Sequence, residues 1–469
     1  MRPSCSNSDT IAAVSTPPGP GGIAIIRISG PKALEIAGAI FRPSRSAGKA
    51  PEPGFVSHRL RHGFIQDPAD AHVLDEALVC AMRAPGSYTG EDVTEIHSHS
   101  GPAAVREILA LILAKGARPA EPGEFTRRAF LNGRMDLTQA EAVIDIIQSR
   151  SSTALRAAAA HLKGGMGRSA GEIRDSLVTA LAQIEASIDF SEDAGDPGFP
   201  KAMISEFERR VIQKLEGLIE NHRRLGAIRE GVKIVIAGKP NVGKSTLLNA
   251  LLGYERAIVS PEPGATRDYI SEPAAIQGLF ATLIDSAGLR ESPDPVERRG
   301  IQKTLERVKE SDIVLFMVDG ALGINEDDRT VYDMLKARDP ILTINKTDLT
   351  KGKDVDLGGI PEGLETAEIS ALTGRGLEEL KNVIFKRAGR PEAFDPGRDI
   401  VPNLRQTTAL ERALAHAGSA LDLIRRGDDA PELAAIELGD ALQSVDQVTG
   451  AETGEDVLDK IFQTFCVGK

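Results

Sequence analysis

Apolar positions change their period several times along the chain, and each change marks an element. Near the N-terminus the runs are short and strand-like: Thr10-Ile11-Ala12-Ala13-Val14, then Ile23 to Ile28, with the rigid turn Pro17-Pro18-Gly19-Pro20-Gly21-Gly22 between them. Ser29-Gly30-Pro31 breaks the second run, after which Leu34, Ile36, Ala37 and Ile40 recur at helical spacing. Leu74 to Met82 and Val93 to His97 read as further strands, Pro102 to Lys115 as a helix, and Ser44 to Gly54 as a surface loop. Residues 1–130 are therefore expected to form a small α+β domain. Thr138 to Ser149 then places Ala140, Val143, Ile144 and Ile147 on one helical stripe. Ser152 to Asp189 and Ile204 to Leu225 stay helical, with breaks at Gly164-Gly165 and at the acidic Ser191 to Pro197; Ala409 to Phe465 is helical again. The Ala157 to Ala160 run is a strong helix former and carries no chemistry. Between these helical stretches, strand runs such as Val232 to Ala237, Leu279 to Ile284 and Ile341 to Ile344 lie in an α/β segment. The expected organisation is a helical domain split into 131–228 and 387–469, with an α/β domain inserted at 229–386. Insertion requires only that the inserted domain's ends lie close together.

Composition narrows the class. The 469 residues are 41% hydrophobic and 26% charged, ordinary for a globular protein. No apolar run reaches the eighteen or so residues of a membrane span, and Met1-Arg2-Pro3-Ser4 lacks a signal peptide's apolar core. Cys5, Cys80 and Cys466 are odd in number and far apart, which suggests neither a disulfide framework nor a zinc site, so a cytoplasmic protein is expected. A net charge of −12 argues against a protein that coats nucleic acid, though not against a local basic patch. Trp is absent and aromatics make up 4%, which argues against stacking platforms for single-stranded bases.

The chemistry is concentrated after Ala237. Gly238-Lys239-Pro240-Asn241-Val242-Gly243-Lys244-Ser245 stands between a strand run and the helical run from Thr246 to Leu252, the context of a phosphate-binding loop. Its glycines would turn backbone N–H groups toward phosphate oxygens at the positive end of the helix. Lys244 would reach the β- and γ-phosphates and Ser245 would bind Mg²⁺. Downstream, Gly264-Ala265-Thr266-Arg267-Asp268 offers Thr266 to complete the Mg²⁺ shell. Asp285-Ser286-Ala287-Gly288 ends a strand, with a carboxylate for the hydrated metal and a glycine for the γ-phosphate. Asn345-Lys346-Thr347-Asp348 supplies Asp348 to accept from the guanine N1–H and amine, and Ser370-Ala371-Leu372 would close over the base. Five motifs in this order define a GTP-binding domain.

Leu289 stands where many such GTPases carry a water-orienting glutamine, so another side chain, an ion or a partner must position the attacking water. Glu291, Asp294 and Glu297 are local candidates, each equally readable as solvated loop charge. Glu95-Ile96-His97-Ser98-His99 has the look of a metal site, but no further ligands stand at metal-like spacing, and alternation along a strand accounts for it.

Asp9-Thr10-Ile11, the Pro17 to Gly22 turn, Arg27-Ile28-Ser29-Gly30, Thr89-Gly90-Glu91-Asp92, Pro122-Gly123-Glu124-Phe125, Ala129-Phe130-Leu131-Asn132-Gly133 and the ending Phe465-Cys466-Val467-Gly468-Lys469 carry a further signal. With these residues the chain resembles the MnmE/TrmE family of tRNA-modification GTPases from about Asp9 to Lys469. The resemblance implies an N-terminal α+β domain that dimerises and binds a tetrahydrofolate, a helical domain, and an inserted Ras-like, doubly wound α/β GTPase domain. It implies a homodimer that assembles as a heterotetramer with the FAD-dependent MnmG/GidA protein. The pair would install a carboxymethylaminomethyl or aminomethyl group at C5 of a tRNA wobble uridine, drawing on 5,10-methylene- or 5-formyl-tetrahydrofolate.

The resemblance also assigns roles. Arg27, Glu95, Arg134 and Lys469 would line the folate site, Arg134 standing where lysine is frequent in the family. Glu297, in Val296-Glu297-Arg298, would orient the water, with Lys244 and Gly264 completing the catalytic set. Asn241 would bind a K⁺ ion beside the phosphates, helped by Ser260, Glu262 and Ala265. Such a cation could neutralise charge developing in the transition state, as an arginine finger does. Nucleotide contacts would run through Asn241–Thr246, the loop Ser260-Pro261-Glu262-Pro263-Gly264-Ala265-Thr266, Asp285–Gly288, Asn345, Lys346, Asp348, Ser370 and Ala371. Cys466 has two readings: a cysteine near the folate's reactive end, or a small apolar residue of a docked terminal helix. Ser286 replaces the family's usual threonine, Ala265 stands where threonine is common, and Pro261 and Pro263 stiffen that loop. Two rival functions share some of these features. A regulatory GTPase switch of ribosome assembly needs neither the folate-like unit nor the Cys-x-Gly-Lys tail, and a folate-dependent methyltransferase acting alone needs no GTPase insertion.

Overall fold

The computed structural model describes residues 9–44, 54–189, 201–254, 271–285, 305–350, 359–361, 363–388, 395, 399–426 and 431–469. The expected loop Ser44 to Gly54 and the break Ser191 to Pro197 fall largely or wholly outside them. Two compact units divide the chain: Met1–Ile144 with Gly167–Asp175 and Leu442–Lys469, and Asp145–Met166 with Ser176–Ala441.

The first unit is built on a seven-stranded sheet of order β3-β4-β5-β6-β2-β1-β7. Its strands are β1 (Ile11–Val14), β2 (Ala24–Ser29), β3 (Phe41–Pro43), β4 (Leu60–Gln66), β5 (Val73–Met82), β6 (Val93–Ser98) and β7 (Arg118–Pro119). Alternation sorts each strand's side chains. Ile26, Ile28, Ile65, Val79 and Ile96 pack with Ile36, Ile40, Ile108 and Ile112 from the helices Ala33–Ile40 and Pro102–Ala114. The cross-strand row Leu60, Cys80, Glu95, Arg27 follows from the pairings Leu60↔Cys80, Cys80↔Glu95 and Glu95↔Arg27. The expected strands and both helices form within a residue or two of their predicted bounds. β3, β4 and β7 are additions, since β4 reads Leu-Arg-His-Gly-Phe-Ile-Gln and hides its period behind Gly63. That glycine is required, because a Cβ there would run into the Arg42 carbonyl and the Phe41 ring on β3.

Beside the sheet, the helices Glu124–Leu131 and Leu137–Gln148 meet the C-terminal helix Glu455–Gln463 in a cluster of Phe130, Leu137, Ala140, Leu458, Phe462 and Phe465. Arg128 is 1% exposed and is matched by three carboxylates. Its guanidinium lies 2.8 Å from Asp9 Oδ1, 2.9 Å from Glu124 Oε1 and 3.2 Å from Glu91 Oε1. Arg118 adds 2.6 Å to Asp9 Oδ2 and 2.9 Å to Glu124 Oε2. Burial raises the Glu124 carboxyl, but the Arg118 hydrogen bond, the Glu121 amide and Arg128 outweigh it, so the acid titrates below its usual value.

The second unit holds a six-stranded sheet of order β13-β12-β11-β8-β10-β9. Here β8 is Val232–Gly238, β9 Ser271–Ile276, β10 Leu279–Asp285, β11 Ile313–Asp319, β12 Ile341–Asn345 and β13 Thr366–Glu368. All pairings are parallel except β9 with β10. Apolar clusters fill both faces, one including the helices Lys244–Tyr254 and Leu377–Arg387, the other the helix Glu326–Leu335. This is a doubly wound sheet, and β8 sits at its topological switch point between β10 and β11, where ligands bind at the strands' carboxyl ends. Helices make up much of the rest of the chain after Leu137. Ser152–Leu162 stops before Gly164, at φ 81°, and the helix starting at Gly165 follows. Lys201–Phe207 and Gln213–Glu230 are continuous through the π-turn Glu208–Ile212.

Removing Arg128 leaves three carboxylates facing a buried gap, so Arg128→Met is expected to cost about 3–5 kcal/mol of stability. The sign with pH follows from Glu124. Its folded pKa is depressed, so its contribution is full above the unfolded value of about 4 and is lost as pH falls through the folded value. Urea unfolding of the wild type between pH 3 and 6 should show stability falling toward acid, and that slope should flatten in Arg128→Met.

Candidate functional site

The phosphate loop is shaped by backbone crowding. Gly238, at φ 157°, lies so close to β11 that a Cβ would strike the Met317 carbonyl. Gly243, at φ 103°, would with any side chain strike Asn345 Nδ2. Asn241 sits at φ 66°, a left-handed conformation that asparagine tolerates better than most residues. Within this loop Lys244 is 8% exposed and donates to the carbonyls of Gly238 (3.1 Å) and Lys239 (2.8 Å). Burial pushes its ammonium below the usual lysine value, against the pull of Asp285.

At the first turn of the following helix, Ser245 Oγ donates to Asp285 Oδ2 at 2.7 Å, joining the loop after β8 to the end of β10. Asp285 Oδ1 is buried and has no hydrogen-bond partner among the described residues. A hydroxyl and a half-satisfied carboxylate at a phosphate loop are an oxygen donor set suited to Mg²⁺, which prefers one or two protein oxygens with water and phosphate. Ser245 would hold the metal, with Asp285 reaching it through water. When bound, the ion would neutralise charge on the phosphates.

The loops after β12 and β13 are bolted to the phosphate loop. Asn345 is 3% exposed; its Nδ2 donates to the Val242 carbonyl at 2.8 Å and its Oδ1 accepts from the Ala371 amide at 2.9 Å. Lys346, at φ 64°, donates to the Asn241 carbonyl (2.9 Å) and to Asp319 Oδ2 (2.6 Å). Ser370 is fully buried, Gly376 cannot carry a Cβ against the Glu368 carbonyl, and Asp348 stays exposed. Direct contacts thus pair Asn241 with Lys346, Ser245 with Asp285 and Asn345 with Ala371. Asp319 belongs with them and was not foreseen. Its signal was present: the fully buried run Ile313–Asp319 is a continuous apolar strand ending in Asp-Gly. Ser260, Pro261, Glu262, Pro263, Gly264, Ala265, Thr266, Ser286, Ala287, Gly288, Leu289, Glu291, Asp294 and Glu297 lie outside the described residues.

A second constellation forms on the first unit. Arg27 and Glu95, directly opposed on β2 and β6, are 13% and 19% exposed. Arg27 Nε donates to Glu95 Oε1 at 2.9 Å, and its guanidinium carbon lies 5.4 Å from the Tyr88 ring centre and 5.6 Å from that of Phe125. The other Glu95 oxygen is 3.5 Å from His97 Nε2.

The C-terminal tail docks here. Gly468 O accepts from Arg27 NH1 at 3.3 Å and from Ser15 Oγ at 3.1 Å. Gly468, at φ 96°, could bear no Cβ beside the Val14 carbonyl, and Val467 bridges Pro122. Lys469 is pushed below the usual lysine value by burial and by Arg27, opposed by Glu95 and Cys466. Arg134 donates to the Ser87 carbonyl at 3.0 Å, one residue from Tyr88. Cys466 is exposed, whereas burial and Glu95 push the Cys80 thiol up. Arg27, Glu95 and Lys469 are therefore one group.

Comparison with known proteins gives the family. A family model described as the MnmE helical domain matches residues 137–466, and one described as the GTP-binding protein TrmE N-terminus matches residues 10–134. Relatives named tRNA modification GTPase MnmE align along nearly their whole length. That of Carboxydothermus hydrogenoformans is 42% identical over 98% of this chain and 99% of its own. That of Syntrophobacter fumaroxidans is 43% identical over 98% of each chain. That of Moorella thermoacetica is 44% identical over 98% of this chain and 99% of its own. A doubly wound nucleotide fold, an N-terminal sheet carrying the chain's last residues, and end-to-end identity above two-fifths lead to one assignment: the chain belongs to the MnmE family of tRNA modification GTPases.

Proposed function

We propose that this GTPase is K⁺-stimulated and acts with an FAD-dependent partner of the MnmG/GidA class. Together they add a carboxymethylaminomethyl or aminomethyl group to C5 of the wobble uridine of certain tRNAs, with a tetrahydrofolate as one-carbon donor. The observation that carries this reading is the docking of the Gly468-Lys469 tail against Arg27, which Glu95 pairs. A cationic cluster with one paired carboxylate and flanking aromatic rings suits a flat, polar heterocycle bearing an acidic tail. Arg27, Glu95, Arg134 and Lys469 form the folate site in this reading, and Cys466 lies at its rim.

GTP is bound by the loop Gly238–Ser245 and by Asn345, Lys346, Asp348, Ser370 and Ala371. Ser245 and Thr266 ligate Mg²⁺, Asn241 ligates K⁺ together with Ser260, Glu262 and Ala265, and Glu297 orients the water. The domains are 1–130 for folate binding and dimerisation, 131–228 and 387–469 for the helical framework, and 229–386 for the GTPase. The protein works as a cytoplasmic homodimer, within a heterotetramer with its partner. Among the described residues no helix is long and apolar enough to cross a membrane.

Steady-state GTP hydrolysis in KCl against NaCl at equal ionic strength tests the ion. Stimulation by K⁺ of about tenfold or more is expected, the scale of one preorganised electrostatic group, and it should vanish in Asn241→Ala. Equal rates in the two salts would reject the K⁺ mechanism. Calorimetric titration with 5-formyl-tetrahydrofolate tests the tail. Arg27→Ala should weaken binding by about tenfold to a hundredfold, the worth of a charge-assisted hydrogen bond. Because Lys469 is charged only below its lowered pKa, affinity for the acidic folate should fall as pH rises through the alkaline range. Lys469→Arg, charged throughout, should remove that fall.

A further inference from the structure

We propose that Lys239 is a positioning residue for the phosphate loop, held in place by Asp328 from the connection that follows β11. The proposal rests on Gly238–Ser245 being the phosphate loop of the preceding section. Backbone and side chain of Lys239 are both committed. Its carbonyl accepts from Lys244 Nζ at 2.8 Å. Its own ammonium donates to Asn325 Oδ1 at 2.8 Å and lies 2.8 Å from Asp328 Oδ2.

The acceptors are themselves fixed. Asn325 and Asp328 form a capping box at the start of the helix Glu326–Leu335: Asn325 Oδ1 takes the Asp327 amide at 3.1 Å, and Asp328 Oδ2 takes the Asn325 amide at 3.1 Å. A capping box works in open solvent, yet Asp328 is only 1% exposed and lies under a lysine of another loop. A buried carboxylate needs a compensating charge, and among the described residues Lys239 is the one cation at ion-pair distance from it.

The end of β11 reaches the phosphate loop a second time, at Asn241. Asp319 holds Lys346, and Lys346 donates to the Asn241 carbonyl. Residues 319–328 therefore grip the loop on both sides of Pro240. The carbonyl of residue 239 is one of the two that hold Lys244, so fixing Lys239 fixes where the Lys244 ammonium waits for phosphate. Preorganisation of this kind is read mainly in how long a ligand stays bound.

The test uses the full chain and a fluorescent N-methylanthraniloyl derivative of GDP. Dissociation is followed by stopped flow, alongside the rise in melting temperature that saturating GDP produces. Lys239→Met and Asp328→Asn should each speed release about tenfold and shrink the GDP-induced rise. Lys239→Arg, which keeps the ion pair, should release at a rate near the wild type. The double variant Lys239→Met/Asp328→Asn should release about tenfold faster, not a hundredfold, because both changes remove the same Lys239–Asp328 ion pair. Unchanged release in Lys239→Met, or a release from Lys239→Arg as fast as from Lys239→Met, would overturn the brace, as would full additivity. If Asp328→Asn does not fold, the Lys239→Met and Lys239→Arg comparison decides the matter alone. Failure of the wild type to bind the probe would refute the phosphate-loop reading itself, whereas normal wild-type binding with unaltered release in Lys239→Met refutes only the brace.

Discussion

The planar amide of Asn345 sets the geometry on which the nucleotide site depends. One buried side chain donates to the loop after β8 and accepts from the segment after β13, so three connections at one sheet edge share a single register. Leaving either partner unmet in that buried setting would cost about 1–3 kcal/mol. The requirement spreads outward. Gly243 must lack a side chain because the amide occupies that space, and Gly238 must lack one because β11 does. What looks in the sequence like a flexible glycine loop is a loop with no room.

The first unit is governed by charge pairing instead. A face of the sheet can carry Arg27 and Glu95 side by side because cross-strand neighbours stand within hydrogen-bond reach. The chain's last residues then use a further donor of that arginine, and Gly468 passes close by the Val14 carbonyl, with Lys469 half-buried after it. The short helix that carries Phe125 also carries Arg128, which meets Glu124 of the same helix and Asp9 and Glu91 from elsewhere in the first unit. Both units hold a lysine whose charge is made costly by burial.

Much of this was legible in advance where the cause is local. β1, β2, β5, β6, β8 and β10, and the helices that follow several of them, announce themselves through period and through Gly or Pro at their ends, because those preferences act within a few residues. β4 stayed hidden: its alternation is interrupted by Gly63, whose reason lies on β3 rather than on its own strand. β11 was readable as a buried run, but a run of apolar residues does not say that it lies beside β8 or that its last carboxylate meets a lysine.

The sequence by itself therefore determined the kind and order of the chemical groups: the phosphate loop, the strand-ending Asp285, the Asn345-Lys346-Thr347-Asp348 motif, and a terminal Cys-x-Gly-Lys. Only the tertiary structure decided who meets whom. Lys239 with Asp328, Lys346 with Asp319 and Arg27 with Gly468 are separated by dozens to hundreds of residues, and each pairing depends on a strand crossover or a register. Backbone preference is set by near neighbours, whereas a charge is satisfied by whatever the packed layers bring within about 3 Å, and no local pattern encodes that distance.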